Sequence, residues 1–418
     1  MKHYRSTYSL TLLLVLLVSV SGALSQSKIK DLKPTVILIS LDGFRYDYIN
    51  KFKTPTLNVL ARDGVRAKWM IPSFPTKTFP NHYTIATGLY PEHHGIVENN
   101  VYDFGKKFMI SDLKLLEESR WWWGEPIWVT AEKQGQHSAS YYWPGSNTEI
   151  EGVLPSSTRR YNGKVPNEMR VDKLLEWFDK PVAQRPTMLT LYFSDTDDAG
   201  HEFGPDAEET GYAAWDVDTD IGRLMAGLKA RGIDKKVNVI VVSDHGMAAV
   251  DQRNAIVMDD LFDIKDKDIA DPILTTGEIW QFFPKPGKED WIMDRLEKIE
   301  HATCWRRKDI PARLHYNEGR RIAPVICSSD EGWYMTDRER LDKDKEAIDY
   351  PHTRGAHGYD NRYQSMMATF IGHGAAFKKG YVGEPFPNID VYELMCKILG
   401  LNPAKNDGDL SRVKPMLR

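Results

Sequence analysis

Apolar residues fall into two kinds of run that alternate along the chain. Short continuous runs occur at 36–40 (Val-Ile-Leu-Ile-Ser), 189–193 (Leu-Thr-Leu-Tyr-Phe) and 239–243 (Val-Ile-Val-Val-Ser). Their length and β-branched content predict strands buried on both faces. Residues 55–61, 169–178 and 212–230 instead carry apolar side chains at helical spacing, and a short helix is expected at 81–88, ended by Gly88. Gly135 to Pro144 predicts a turn, a strand and a turn, and a final strand-helix unit at 368–372 and 391–399 is expected to close the sheet. This alternation predicts an α/β fold with a mostly parallel central sheet, right-handed crossovers and helices on both faces. Around 250–350 the pattern loses regularity, with Pro284, Pro286, Pro311 and Pro324 and a charged run at 337–347. We read this stretch as a smaller inserted α+β subdomain within a single domain spanning 34–416, and the charged run as a solvated helix or loop. Trp121, Trp122, Trp123 and Trp128 crowd one segment; aromatics at that density more often build core than line a cofactor.

Composition narrows the function classes. A chain of 418 residues, 41% hydrophobic and 27% charged, is of ordinary globular make-up. Its formal net charge of −4 provides no basic field for a stable nucleic-acid complex, so any phosphate must be held locally. Lys2 and Arg5, an apolar stretch from Leu10 to Val20 and small residues at Ser21, Gly22 and Ala23 have the order of a cleaved secretory signal over 1–25. An uncleaved anchor is the alternative, although the stretch is short for one. The expected product is secreted or periplasmic, with no membrane span after cleavage, and no protein partner is inferred. Three cysteines allow one pair: Cys304 and Cys327 sit in neighbouring irregular sequence, whereas Cys396 lies in a helical apolar pattern that suits a buried thiol. No Asn heads an Asn-X-Ser/Thr triplet, which tilts the expectation towards a bacterial periplasm.

Candidate chemistry sits just past the three strand-like runs. Asp42-Gly43 follows the first, Asp197 and His201 the second, and Asp244-His245-Gly246 the third; His357-Gly358 lies further on. Each alone could be a polar turn, and Asp197 with His201 reads as a loop after its strand. In an open α/β sheet, however, the carboxyl ends of the strands share one crevice, so these groups can converge. Three Asp and three His suit two Zn²⁺ ions with positions left for substrate. The segment Pro75-Thr76-Lys77-Thr78-Phe79-Pro80-Asn81 places a hydroxyl at the start of a helix, where backbone N–H groups and the dipole favour an anion. Thr78 could be a nucleophile if metal coordination lowers its pKa, or simply a helix N-cap.

Six motifs then carry a resemblance. Leu-Asp-Gly-Phe-Arg (41–45), Lys-Thr-Phe-Pro-Asn-His-Tyr (77–83), Thr-Gly-Leu-Tyr-Pro-Glu-His-His-Gly-Ile-Val-Glu-Asn (87–99), Asp-Asp-Ala-Gly-His (197–201), Ser-Asp-His-Gly-Met (243–247) and His-Gly-Tyr-Asp (357–360) resemble the nucleotide pyrophosphatase/phosphodiesterase family of the alkaline phosphatase superfamily. The layout is most similar to bacterial members that consist of the catalytic domain alone. The resemblance implies an alkaline-phosphatase-like sheet and two Zn²⁺, one held by Asp197, His201 and His357, the other by Asp42, Asp244 and His245 with the Thr78 oxygen. It implies that Asn99 donates to a phosphate oxygen, that Phe79 and Tyr161 sandwich a nucleobase with Trp143 near them, and that nucleotides and their diesters yield 5′-monophosphates through a threonine-nucleotidyl intermediate. A choline-head-group phosphodiesterase is the runner-up. A phosphomonoesterase fits less well, since that branch uses Ser with an Arg clamp and a third metal.

Overall fold

The computed structural model describes residues 28–346 and 352–418, so the expected leader at 1–25 lies outside the described residues. Eight strands form the central sheet: β1 (Val36–Leu41), β2 (Val65–Ala67), β3 (Ser138–Tyr141), β4 (Ser157–Arg159), β5 (Met188–Phe193), β6 (Asn238–Val242), β7 (Phe370–His373) and β8 (Tyr381–Gly383). Their spatial order is β8-β2-β7-β6-β1-β5-β3-β4. The strands from β6 to β4 are parallel to their neighbours, with β1 at the centre between β5 and β6.

Because side chains alternate across a strand, the apolar runs divide between two cores. Val36 and Leu38 join Ile240, Val242 and Phe370 on one face, against helices α2 (Thr78–Thr87), α3 (Ile127–Lys133) and α7 (Asp390–Leu399). Ile37, Ile39 and Leu41 join Leu189, Leu191, Val239 and Val241 on the other, against α1 (Pro55–Asp63), α4 (Asn167–Phe178) and α6 (Glu208–Ala230). Burial on both faces is why these strands are apolar throughout, and it fixes β1 rigidly beneath the site. Trp121, Trp122 and Trp128 pack into the first core, in keeping with the structural reading of the tryptophan cluster.

Two expectations need correction. β7 does not close the sheet: it lies between β6 and β2 and runs antiparallel to both. The physical cause is the loop before it, which crosses the carboxyl ends of the parallel strands, with the Gly246 N–H donating to the Met366 carbonyl and the Ser243 N–H to that of Thr369. A strand entered from that end must run back down. The Asp197–His201 segment, expected as a loop, is part of helix α5 (Asp195–Phe203).

Between β6 and β7 the chain builds a four-stranded antiparallel sheet, in the order Ala270–Thr275, Ile279–Pro284, Val325–Ser329, Ala302–Arg306, with helix Glu289–Leu296. Trp280, Phe282, Ile292, Leu296 and Cys327 form a core of its own beneath it. Cys304 and Cys327 face each other directly across two of these strands and are disulfide-bonded, while Cys396 is free and buried in α7. The charged run is partly seen as the exposed helix Arg338–Lys345, started by the Asp337 carboxylate accepting from the Arg340 N–H. No helix among the described residues is long and apolar enough to cross a membrane.

Candidate active site

Each of the four candidate ligand motifs reaches one crevice by a different local device. β1 delivers Asp42, after which Gly43 adopts φ 65°; a Cβ there would stand 3.0 Å from the Cα of Asp197, so glycine permits the helix α5 to approach. On α5, Asp197 and His201 are one turn apart and share a face. β6 delivers Asp244 and His245, both fully buried. Antiparallel pairing of Ala248–Asp251 with Thr353–Ala356 then presents His357. Thr78 is the first residue of α2, whose cap position is Lys77; the N-cap alternative for Thr78 is therefore set aside.

The side chains meet closely. Thr78 Oγ1 lies 3.3 Å from His245 Nε2, which is 2.9 Å from Asp244 Oδ2 and 3.4 Å from Asp42 Oδ1. His357 Nε2 is 3.1 Å from His201 Nε2 and 3.6 Å from Asp197 Oδ1. Three overlapping groups, Asp197/His201/His357, Asp42/Asp197/His245 and Asp42/His82/Asp244, each bring their ligand atoms within 4.8 Å of one another.

Protonation of the rings follows from their partners. The Nδ1 atoms of His201, His245 and His357 face the carbonyls of Gly355, Gly246 and Thr76 at 2.9, 2.9 and 2.8 Å. A carbonyl only accepts, so Nδ1 carries the hydrogen in each ring, and a neutral ring offers its Nε2 lone pair to the crevice. Burial, with His245, Lys77 and His201 nearby, holds His357 well below the usual imidazole range and so neutral. Burial also raises the Asp42 carboxyl well above its ordinary value, reinforced by Asp244 and Asp197. Burial likewise opposes ionisation of Asp244, but His245 and His82 outweigh it and hold that carboxyl well below the ordinary range.

Imidazole lone pairs and carboxylates gather closely here. Asp42 Oδ1, Asp197 Oδ1 and Asp244 Oδ2 are buried without a hydrogen-bond partner, a costly arrangement unless a cation receives them. The donor set, imidazole nitrogen and carboxylate oxygen with no sulfur, fits a divalent metal ion, with Asp42 and Asp197 common to more than one group.

Sequence reasoning missed three supports. His82, one turn after Thr78, places Nδ1 2.9 Å from the Thr78 carbonyl and 3.3 Å from Asp244 Oδ2, while its Nε2 meets Ser40 Oγ at 2.8 Å. Both its nitrogens are therefore engaged in orienting neighbours. The i,i+4 spacing from Thr78 was the available signal. The Tyr192 hydroxyl donates to Asp42 Oδ2 at 2.6 Å, and Lys77 forms a buried ion pair with Glu278 of the small sheet; neither had a local signal.

Beside Thr78 opens a cavity of about 260 Å³, lined by Phe79, Trp143, Tyr161, Tyr142 and Tyr192 together with Asp42 and Asp197. Phe79 is braced from behind by Phe108 and Trp122, and Tyr161 is exposed at the mouth. Trp143 is largely buried, its Nε1 donating to the His82 carbonyl at 3.0 Å. Asn99 accepts the Phe79 N–H through Oδ1 at 3.0 Å, which leaves its NH2 group as the donor.

Comparisons with known proteins agree with this geometry. The sequence pattern of the family described as Type I phosphodiesterase / nucleotide pyrophosphatase matches residues 36–360. The chain is 40% identical to ectonucleotide pyrophosphatase/phosphodiesterase family member 3 of Rattus norvegicus over 92% of its own length and 44% of that protein's. It is 40% identical to an uncharacterised pyrophosphatase/phosphodiesterase of Schizosaccharomyces pombe over 92% of its length and 80% of the relative's. The chain thus spans less than half the length of the rat relative. Among solved structures, murine ectonucleotide pyrophosphatase/phosphodiesterase 5 superposes with a TM-score of 0.84 at 34% identity, covering 92% of this chain and all of that one; an inactive threonine-to-alanine variant of that murine protein is solved in complex with AMP. The chain belongs to the nucleotide pyrophosphatase/phosphodiesterase family, and its fold is alkaline-phosphatase-like.

Proposed function

Starting from that family membership, we propose that the protein is an exported two-zinc phosphodiesterase that hydrolyses nucleotides and nucleotide diesters to nucleoside 5′-monophosphates. The observation that carries this reading is the position of Thr78: its hydroxyl stands against His245 and opens onto an aromatic-lined cavity of about 260 Å³. A base would stack between Phe79 and Tyr161, an interaction that contributes roughly 1–3 kcal/mol and tolerates different bases.

Zinc ions held by Asp197, His201 and His357 and by Asp42, Asp244 and His245 would supply Lewis acidity, favouring the Thr78 alkoxide and the charge on the departing oxygen. Thr78 Oγ1 attacks the phosphorus, the bond to the leaving group breaks on the opposite side, and a nucleotidyl-threonine remains for water to hydrolyse. The Asn99 NH2 group donates to a non-bridging phosphate oxygen, where negative charge accumulates. His82 fixes the Thr78 carbonyl, and Tyr192 fixes the Asp42 carboxylate, so the residue bearing the nucleophile and this candidate ligand are held in place before substrate arrives. Export is supported by the leader-like residues 1–25 and by the Cys304–Cys327 disulfide, a bond that persists in oxidising compartments.

A steady-state panel of ATP, a dinucleotide, a cyclic dinucleotide, lysophosphatidylcholine and a simple monoester tests the reading. We expect the nucleotide diesters and ATP to be turned over and the monoester to be poor. A preference for lysophosphatidylcholine would transfer the assignment to the choline-head-group branch, and a preference for the monoester would remove it.

A further inference from the structure

A second cavity, of about 380 Å³, also reaches the ligand cluster. The aromatic cavity touches Thr78, Asp42 and Asp197, whereas this one touches His201, His357 and Asn99. The two therefore meet different members of the same cluster. Their chemistry differs. The first is walled by aromatic and aliphatic side chains, the second by Lys77, Arg340, Arg354, Glu278 and Asp344 among mostly polar groups. Lys77 and Glu278 neutralise each other in a buried pair. Arg354 lies on the strand leading to His357, with Nε donating to His352 Nε2 at 2.8 Å; Arg340 projects from the exposed helix Arg338–Lys345. Among the described residues no carboxylate lies within ion-pair distance of either guanidinium, although Asp344 shares the rim. Two guanidinium groups without an acidic partner, beside the ligands of one cation site, are suited to a flexible polyanion.

We propose that this cavity receives the leaving group, and that Arg354 and Arg340 make the enzyme selective for leaving groups that are themselves phosphorylated, such as the pyrophosphate released from a nucleoside triphosphate. The proposal rests on the reading of Thr78 as nucleophile. In-line displacement places the leaving oxygen away from the attacking one; Thr78 stands against His245, whereas the cationic cavity is walled by His201 and His357, which belong to a ligand group that does not contain His245. Binding energy from the distal phosphates is then available at a point remote from the base, so the base pocket and the phosphate-chain pocket can be altered independently.

The test compares Arg354→Gln and Arg340→Gln with the parent on ATP and on p-nitrophenyl thymidine monophosphate, whose leaving group carries no phosphate. A second readout is inorganic pyrophosphate binding, measured by calorimetry on metal-loaded protein carrying Thr78→Ala. We expect the ATP to p-nitrophenyl ester ratio of kcat/KM to fall by at least about tenfold, the size expected for removing one charge-assisted hydrogen bond to an anion, and pyrophosphate binding to weaken by a similar factor. Arg354→Lys should recover part of both. An unchanged ratio together with unchanged pyrophosphate affinity overturns the proposal. If the parent turned over neither nucleotide, the functional reading would fail, while the pyrophosphate titration would still decide whether the cavity takes a phosphate chain. Arg340 is exposed on a surface helix, so its variant keeps the test open should Arg354→Gln not fold.

Discussion

His201 and His357 point their Nε2 atoms at each other across 3.1 Å, and each ring has its Nδ1 hydrogen committed to a backbone carbonyl. The two Nε2 atoms, one from each of two candidate ligand histidines, therefore converge on a single point. A metal cation placed there would receive both nitrogens. Exhaustive metal removal is therefore expected to lower the melting temperature, and added Zn²⁺ to raise it in a concentration-dependent way, since a ligand that binds only the folded state stabilises it by mass action. A melting curve indifferent to chelation and to Zn²⁺ would contradict the two-metal reading.

Thr78→Ala removes the hydroxyl without touching an Asp or His of the cluster. Metal content should stay near that of the parent while turnover of a nucleotide diester drops by several orders of magnitude. Elemental analysis beside a kinetic assay checks both halves; retained turnover removes Thr78 from the chemistry.

Phe79 and Tyr161 line the cavity next to Thr78. Replacing either with Ala should weaken nucleotide binding by about 1–3 kcal/mol, or about 5- to 150-fold, read as KM or as AMP inhibition. Hydrolysis of bis(p-nitrophenyl) phosphate, which has no nucleobase, should change far less. Equal losses on both substrates would mean that these rings shape the fold rather than hold a base.

His94 provides the pH prediction. It is fully buried, receives the Ile96 N–H on Nδ1 at 3.2 Å and meets Thr84 Oγ1 through Nε2 at 3.0 Å, so protonating Nδ1 would break the first bond. Burial lowers its pKa from 6.5 to about 3. A base with a depressed folded pKa is bound by more protons when unfolded, so its contribution is complete above 6.5 and declines as the pH falls towards 3. That loss approaches about 1.4 kcal/mol per pH unit. His94→Asn keeps an acceptor for Ile96 without titrating, and its stability should fall less steeply between pH 6 and pH 4 in denaturant titrations. Parallel slopes for parent and variant would assign the acid sensitivity elsewhere.

Much of the site was legible because of one geometric rule. Asp42, Asp244 and His245 follow continuous apolar runs, such runs are parallel strands buried on both faces, and the carboxyl ends of parallel strands open on one crevice. The helices were legible from their apolar spacing, and the membership of Cys304 and Cys327 in one pair was suggested by elimination of the helical Cys396.

What the amino-acid order determined by itself, then, is the set of local elements and the chemical groups at their ends, since spacing, β-branching and turn residues act over a few neighbouring positions. Only the tertiary structure decided that α5 rather than a loop carries Asp197 and His201, that β7 runs backwards, that Tyr192 braces Asp42 across 150 positions, and that Arg340 and Arg354 share a cavity behind His201 and His357. Those relationships join residues far apart in the chain. Packing of whole layers creates them, and no local preference of a residue encodes which distant partner it will meet.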